Sequence, residues 1–165
     1  KKLSCMLFQL NQQEHPDAIY SSAIPEEYAS VSLPEHSAHV TITDRCTLIH
    51  QTIHKEDYSL WVNNFFIHTP LLLFVQPEDK QYSLYYTIEN MAILIIKDEQ
   101  RIIPPHEFCV LELPPGYHHC GAFDKGIYRS MHLTVNEKNK SILQDQDYAT
   151  ALLREYYLDV AIQPH

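Results

Sequence analysis

Between about residues 46 and 135, short runs of apolar and aromatic residues alternate with turn-forming residues. Runs rich in β-branched and aromatic residues are typical of strands, and breaks about every eight to twelve residues are typical of an all-β barrel or sandwich. The pattern predicts strands over residues 46–54, 58–68, 71–76, 81–88, 91–96, 100–103, 107–113, 117–123 and 127–135.

The breaks between these runs have identifiable causes. Pro77-Glu78-Asp79 and Asp124-Lys125-Gly126 supply turns, and Asn90 tolerates the left-handed conformation of a tight hairpin. Pro104-Pro105 and Pro114-Pro115 mark strand ends, because proline cannot donate a ladder hydrogen bond. The expected fold is therefore an antiparallel β-barrel.

The predicted strand 81–88 has a clear period of two. Alternate residues of a strand point to opposite faces, so one face carries Tyr82, Leu84, Tyr86 and Ile88, and the other carries Ser83, Tyr85, Thr87 and Glu89.

The segments on either side of the barrel have different patterns. Residues 1–45 are expected to form an irregular segment packed on the barrel, with one helical turn at 26–29. After residue 135 the period lengthens to that of a helix, so residues 136–165 are expected to form C-terminal helices. Asn136 and Asp147 are the expected helix caps.

The second helix, expected over 147–162, is amphipathic. One face is too apolar to remain in water and is expected to pack on the barrel or on a second copy of the chain. That face carries Ala149, Leu152, Leu153, Tyr156 and Val160.

Composition narrows the classes of function. The 165 residues suit one domain, and a net charge of −9 repels phosphate backbones, so direct contact with nucleic acid is not expected. No run approaches the length of a membrane span. The four cysteines lack a C-x-x-C spacing, which favours free thiols and a cytoplasmic location.

Eleven histidines raise the question of a metal site. His50 and His54 share a strand face but lie about 13 Å apart at about 3.3 Å per residue, so they cannot bind one zinc ion. The side chains of His118 and His119 diverge, and His36 and His39 lie in no predicted element. No metal, cofactor or catalytic residue is predicted, since nucleophile elbows and phosphate loops are also absent from the sequence.

One short motif, Pro114-Pro115-Gly116-Tyr117-His118-His119, has the form P-x-G-x-x-H before a strand. It resembles the second motif of the cupin superfamily, in which that histidine is a metal ligand. The segment 82–89, where the first cupin motif would place its histidines, has tyrosines and serine instead. The resemblance therefore implies a cupin-like barrel whose metal site is lost and which binds a ligand rather than catalysing a reaction.

The order and spacing of several segments extend the resemblance over residues 47–135. These segments are 49–53, 58–62, 82–90, 111–114 and 128–133. Together they resemble the N-terminal sensor domain of AraC-family transcription regulators, in particular the group of the pyochelin regulators. The resemblance implies an effector-binding barrel, dimerising helices after it, and a DNA-reading helix-turn-helix domain in a continuation of the chain.

If the barrel binds a small effector, the expected lining is Tyr82, Leu84, Tyr86 and His119, with Trp61 as a further candidate. Apolar walls with a few hydroxyl and imidazole groups both bury a ligand and orient it. The alternative is that these side chains fill a closed core. A small cupin-fold enzyme and a stand-alone ligand-binding jelly roll are the alternative functions.

Overall fold

The computed structural model describes residues 7–161, and their side chains as far as residue 158. Within this range the chain forms antiparallel strands, and its α-helices follow the last strand. The strands are β1 Ile19–Ser21, β2 Ser37–Ile42, β3 Cys46–His54, β4 Ser59–Ile67, β5 Leu71–Val75, β6 Gln81–Glu89, β7 Ala92–Ile96, β8 Glu99–Ile103, β9 Phe108–Leu113, β10 His119–Phe123 and β11 Gly126–Asn136. The α-helices are α1 Ser141–Gln144 and α2 Gln146–Ala161, and 3₁₀ turns cover Glu26–Val31 and Glu137–Asn139.

The strands form two antiparallel sheets. The large sheet has the order β1-β2-β3-β4-β11-β6-β9, and the small sheet has the order β5-β10-β7-β8. Strand β4 pairs with β11, β5 with β10, β6 with β9, and β7 with β8. The last eight strands are thus one long hairpin wrapped into two facing sheets, which is a jelly roll. The predicted class, an antiparallel cupin-like barrel with C-terminal helices, is confirmed.

Each strand predicted between residues 46 and 135 is present, with ends shifted by up to two residues. The expectation that residues 1–45 are irregular was wrong for β1 and β2. Strand β2 pairs with β3 along its whole length, from Ser37 opposite Thr52 to Ile42 opposite Thr47. Its six residues become a strand because a long neighbour supplies the hydrogen-bond ladder, which local sequence does not reveal.

Apolar side chains form two separate cores. The first lies between the sheets and includes Leu48, Phe65, Leu73, Leu94 and Leu111. The second lies between the outer face of the large sheet and the helices, where Val62, Leu84 and Leu133 meet Ala149 and Leu153. The large sheet is therefore covered on both faces.

Side chains cap the N-termini of the helical segments. Asn136 caps the first turn, as predicted, by accepting a hydrogen bond from the Asn139 amide (3.1 Å). The expected cap of α2 was wrong: Asp145, not Asp147, accepts from the Tyr148 amide (3.1 Å), so α2 begins earlier.

The predicted apolar face of α2 packs on the barrel. Ala149, Leu153 and Tyr156 are buried and Leu152 is partly buried. The side chain of Val160, and residue 162, lie outside the described residues. No helix in the described part of the chain is both long and apolar enough to cross a membrane.

The first described residues enter the barrel. Gln9 exchanges two backbone hydrogen bonds with Phe74 of β5, at 2.8 and 2.7 Å. This pairing directs Phe8 between the sheets, where it is 1% exposed. The N-terminal segment is thus part of the barrel core.

Candidate functional site

The structure places three of the predicted site residues away from the barrel interior. Tyr82, Leu84 and Tyr86 lie on the outer face of the large sheet, against the helices. Tyr85, on the opposite face of the same strand, is the one that enters the interior. The alternation along β6 was predicted correctly, but the expected interior position of these three side chains was wrong because both faces of the sheet are covered.

His119 is buried, as the motif led us to expect, but both of its ring nitrogens are engaged. The Lys97 amide donates to Nδ1 at 3.1 Å, so the ring proton is on Nε2, which donates to the Pro114 carbonyl at 2.9 Å. His119 therefore joins the turn after β7 to the turn after β9. Its neighbour His118 is exposed, which confirms that the two side chains diverge.

Trp61, the chain's one tryptophan, faces the barrel interior and is fully buried. Three strands place Trp61, His132 and Tyr85 side by side. The His132 ring lies 5.6 Å from Trp61 and 6.0 Å from Tyr85 between centroids, and is nearly parallel to both. Together the three stacked rings form an aromatic row across the inner face of the large sheet.

A hydrogen-bonded cluster adjoins this row. The side-chain amide of Asn63 donates to Ser130 Oγ at 3.1 Å and pairs with His132 Nδ1 at 3.0 Å. The Tyr85 hydroxyl donates to the same Ser130 oxygen at 2.9 Å. We call Asn63, Tyr85, Ser130 and His132 the inner polar cluster.

Two atoms of this cluster lack a partner. Among the residues that the structure describes, none hydrogen-bonds to Asn63 Oδ1 or His132 Nε2, although both atoms are shielded from solvent. Leaving a buried polar atom unsatisfied costs about 1–3 kcal/mol, so native structures rarely do so without water or a ligand. The inner polar cluster is the candidate functional site.

The interior favours uncharged groups. Burial, together with the positive charge of a protonated His39, lowers the pKa of His50 to about 3. Burial likewise holds the pKa of His132 well below its usual range and raises the pKa of Tyr85 to about 12. None of the buried residues in the described range is Lys, Arg, Asp or Glu.

A cleft of about 260 Å³ leads from the surface toward this interior. It is lined by Phe8 and His50 on the inner side and by Tyr20, His39 and Thr41 on the outer side. A second cleft, of about 480 Å³, lies between residues 9–13 and the end of β5. Neither cleft is lined by Tyr82, Leu84, Tyr86 or His119.

Asn63, Ser130 and His132 were not predicted as site residues, although the sequence contained a signal for them. In β11, Ser130, His132 and Thr134 alternate with Met131, Leu133 and Val135. A period-two row of polar residues beside a fully apolar row indicates a sheet with an apolar contact on one side and a polar interior on the other.

Comparisons with known proteins concern the fold. No protein-family model and no curated protein matches the chain. Solved structures with some similarity include the cupin domain of Cnp3 from Schizosaccharomyces pombe, at 8% identity and a TM-score of 0.44, covering 78% of this chain and 93% of that one. Ectoine synthase from P. lautus has 12% identity and a TM-score of 0.43, covering 75% and 85%.

A third similar structure is the cupin domain of an XRE-family transcriptional regulator from Enterobacter cloacae. It has 10% identity and a TM-score of 0.42, covering 53% of this chain and 95% of that domain. For this chain, the strand order itself defines the jelly-roll fold.

Proposed function

We propose that this chain is a small-molecule-binding domain and that its binding site is the inner polar cluster. The observation that carries the proposal is the pair of unsatisfied atoms, Asn63 Oδ1 and His132 Nε2, inside the barrel. A ligand that hydrogen-bonds to both would recover the free energy that their burial costs. The stacked rings of the aromatic row add apolar surface beside these atoms, and apolar surface with a few polar groups is typical of ligand pockets.

We further propose that the domain is the effector sensor of an AraC-type transcription regulator. The resemblance of residues 47–135 to that family supports this role. The net charge of −9 also supports it, because a sensor leaves DNA contact to another domain. A homodimer is expected, because such regulators read paired half-sites through two-fold symmetry.

A binding role is favoured over metal-dependent catalysis by the chemistry of the available donors. In the part of the chain that the structure describes, no group of three or more His, Cys, Asp or Glu side chains could hold a metal ion. His119, the position that the cupin motif would assign to a metal, uses both nitrogens to hold two turns. We propose that the domain works without a cofactor, in the reducing cytoplasm where Cys46, Cys109 and Cys120 remain thiols.

Trp61 provides the experiment for the binding proposal. As the chain has one tryptophan, a ¹H–¹⁵N spectrum contains one indole N–H signal, from a group that donates to Ser59 Oγ inside the barrel. A library of small metabolites should contain compounds that shift this signal in a saturable way. The Trp61→Phe variant identifies the signal. If every compound that binds leaves it unmoved, the inner polar cluster is not the site.

The regulator proposal has a separate test. A strain that lacks the gene for this chain should lose the transcriptional response to the compound that shifts the Trp61 signal. The chain by itself should retard no DNA duplex in a sequence-specific way. Sequence-specific retardation by this chain, or an unchanged transcriptional response in the mutant strain, would contradict the proposal.

A further inference from the structure

The inner polar cluster presents one donor and one acceptor to the interior. With the Asn63 amide nitrogen toward His132 Nδ1, the neutral imidazole carries its proton on Nε2. The free atoms are then a donor on His132 and an acceptor on Asn63. Rotating the Asn63 amide by half a turn exchanges these two roles but still leaves one of each. A ligand that satisfies the cluster must therefore carry both an acceptor and a donor.

The ligand must also be uncharged. A charged group beside Asn63 and His132 would lack a buried partner of opposite charge, because none of the buried residues in the described range is Lys, Arg, Asp or Glu. The buried imidazoles of His50 and His132 are neutral, since burial lowers the pKa of each. An unpaired buried charge costs far more than a neutral hydrogen bond returns. The low pKa of His50, about 3, reflects the same exclusion of charge from the interior.

Phe8 indicates the shape of the group that fits beside the cluster. Its ring lies 6.4 Å from His50 and 6.3 Å from Tyr85 between centroids. In the strand register His50 is opposite Asn63, and Tyr85 is opposite His132, so Phe8 contacts the neighbours of both unsatisfied residues. Phe65 and Phe123 meet the Phe8 ring edge to face, at 5.4 and 6.1 Å. The surroundings accept a flat ring. The Phe8 amide donates to His50 Nε2 at 3.2 Å, but its phenyl ring has no polar atom to offer Asn63 or His132.

Building on the proposed function, we propose the class of ligand: an uncharged planar molecule that carries a hydrogen-bond acceptor beside a donor, as an aromatic amide does. It would occupy the place that Phe8 fills and hydrogen-bond to Asn63 and His132. The cleft that Phe8, His39 and His50 line provides the approach from the surface.

The test uses three probes of similar size: benzamide, which is neutral with both a donor and an acceptor, benzoate, which is charged, and toluene, which is apolar. Binding is followed by the Trp61 indole signal in the wild type and in Phe8→Ala, which vacates the ring position. At neutral pH, Phe8→Ala should bind benzamide at least about tenfold more tightly than benzoate or toluene. Wild type should bind benzamide more weakly than Phe8→Ala, because the ligand must displace the phenyl ring.

The matched control is Phe8→Ala combined with Asn63→Leu, which keeps the volume of residue 63 but removes its amide. The preference for benzamide over toluene should disappear in this double variant. If Phe8→Ala does not fold, Phe8→Leu vacates part of the same space, and the wild-type comparison of the three probes gives the same ranking.

Each outcome has a distinct meaning. Tighter binding of toluene would show a dry apolar cavity of the kind that binds benzene, and would overturn the inference. Tighter binding of benzoate would overturn the uncharged class while the proposed binding function stands. If none of the probes and no library compound moves the Trp61 signal, both the inference and the proposed function fail.

Discussion

Tyr85 and Tyr86 are neighbours in β6, yet they belong to different cores. Tyr85 is 2% exposed inside the barrel and donates to Ser130. Tyr86 lies outside the barrel, where its ring stacks on Phe108 at 4.4 Å and meets Tyr157 of α2 edge to face at 5.8 Å. The two side chains are identical but lie on opposite faces of the large sheet, so substituting each in turn tests the register of β6.

We expect Tyr85→Ala to lower the free energy of unfolding by about 3–5 kcal/mol, as large aromatic truncations in a closed core do. Tyr86→Ala should cost less, about 1–2 kcal/mol, because its side chain is only partly buried. Chemical denaturation of both variants measures the difference. Equal losses, or a larger loss for Tyr86→Ala, would contradict the assigned faces.

A second prediction concerns His119. Its removal leaves the Lys97 amide and the Pro114 carbonyl without their partner, so His119→Ala should destabilise the fold by about 2–4 kcal/mol. The exposed neighbour supplies the control, since His118→Ala should change stability by no more than about 0.5 kcal/mol. A stable His119→Ala protein would show that the two turns do not depend on this imidazole.

The third prediction is a pH dependence that arises from His50. In the unfolded chain His50 takes up a proton near its usual pKa of 6.5. In the folded chain it does so only near the lowered pKa of about 3. The folded state therefore binds fewer protons between these values, and its stability falls as the pH is lowered through this window. The contribution of one such histidine approaches about 1.4 kcal/mol per pH unit.

Urea denaturation between about pH 6.5 and about pH 4.5 measures this slope. His50→Gln should have a shallower slope than the wild type, by the equivalent of about one proton. Identical slopes for His50→Gln and the wild type would show that the interior admits the charged imidazole.

The fourth prediction concerns the start of α2. Asp145 accepts from the Tyr148 amide, so Asp145→Ala should cost about 1 kcal/mol, which is typical of a lost N-cap. Asp147 lies two residues further on, in the first turn of α2, so Asp147→Ala should cost only a few tenths of a kcal/mol through the helix dipole. Thermal unfolding of the two variants distinguishes them. A larger loss of stability for Asp147→Ala than for Asp145→Ala would show that Asp147 is the cap.

Local pattern and turn chemistry were sufficient to predict the strands from β3 to β11. Proline ends a ladder because it has no N–H to donate, and period-two alternation is a property of any strand. The same rules predicted the Asn136 cap and the divergence of His118 from His119. These features depend on residues that are close together in the chain.

The position of the site depended on contacts between distant segments. Alternation divides β6 into two faces but does not say which face is inside, and here helix α2 covers the face with Leu84 while the small sheet covers the face with Tyr85. Asn63 meets His132 only because β4 and β11 pair across 69 residues of sequence. Phe8 reaches the same interior only by pairing with β5. The sequence by itself determined the barrel and its breaks, because these follow from local conformational preference. Tertiary structure alone decided which side chains line the interior, because burial is a property of the whole packed chain.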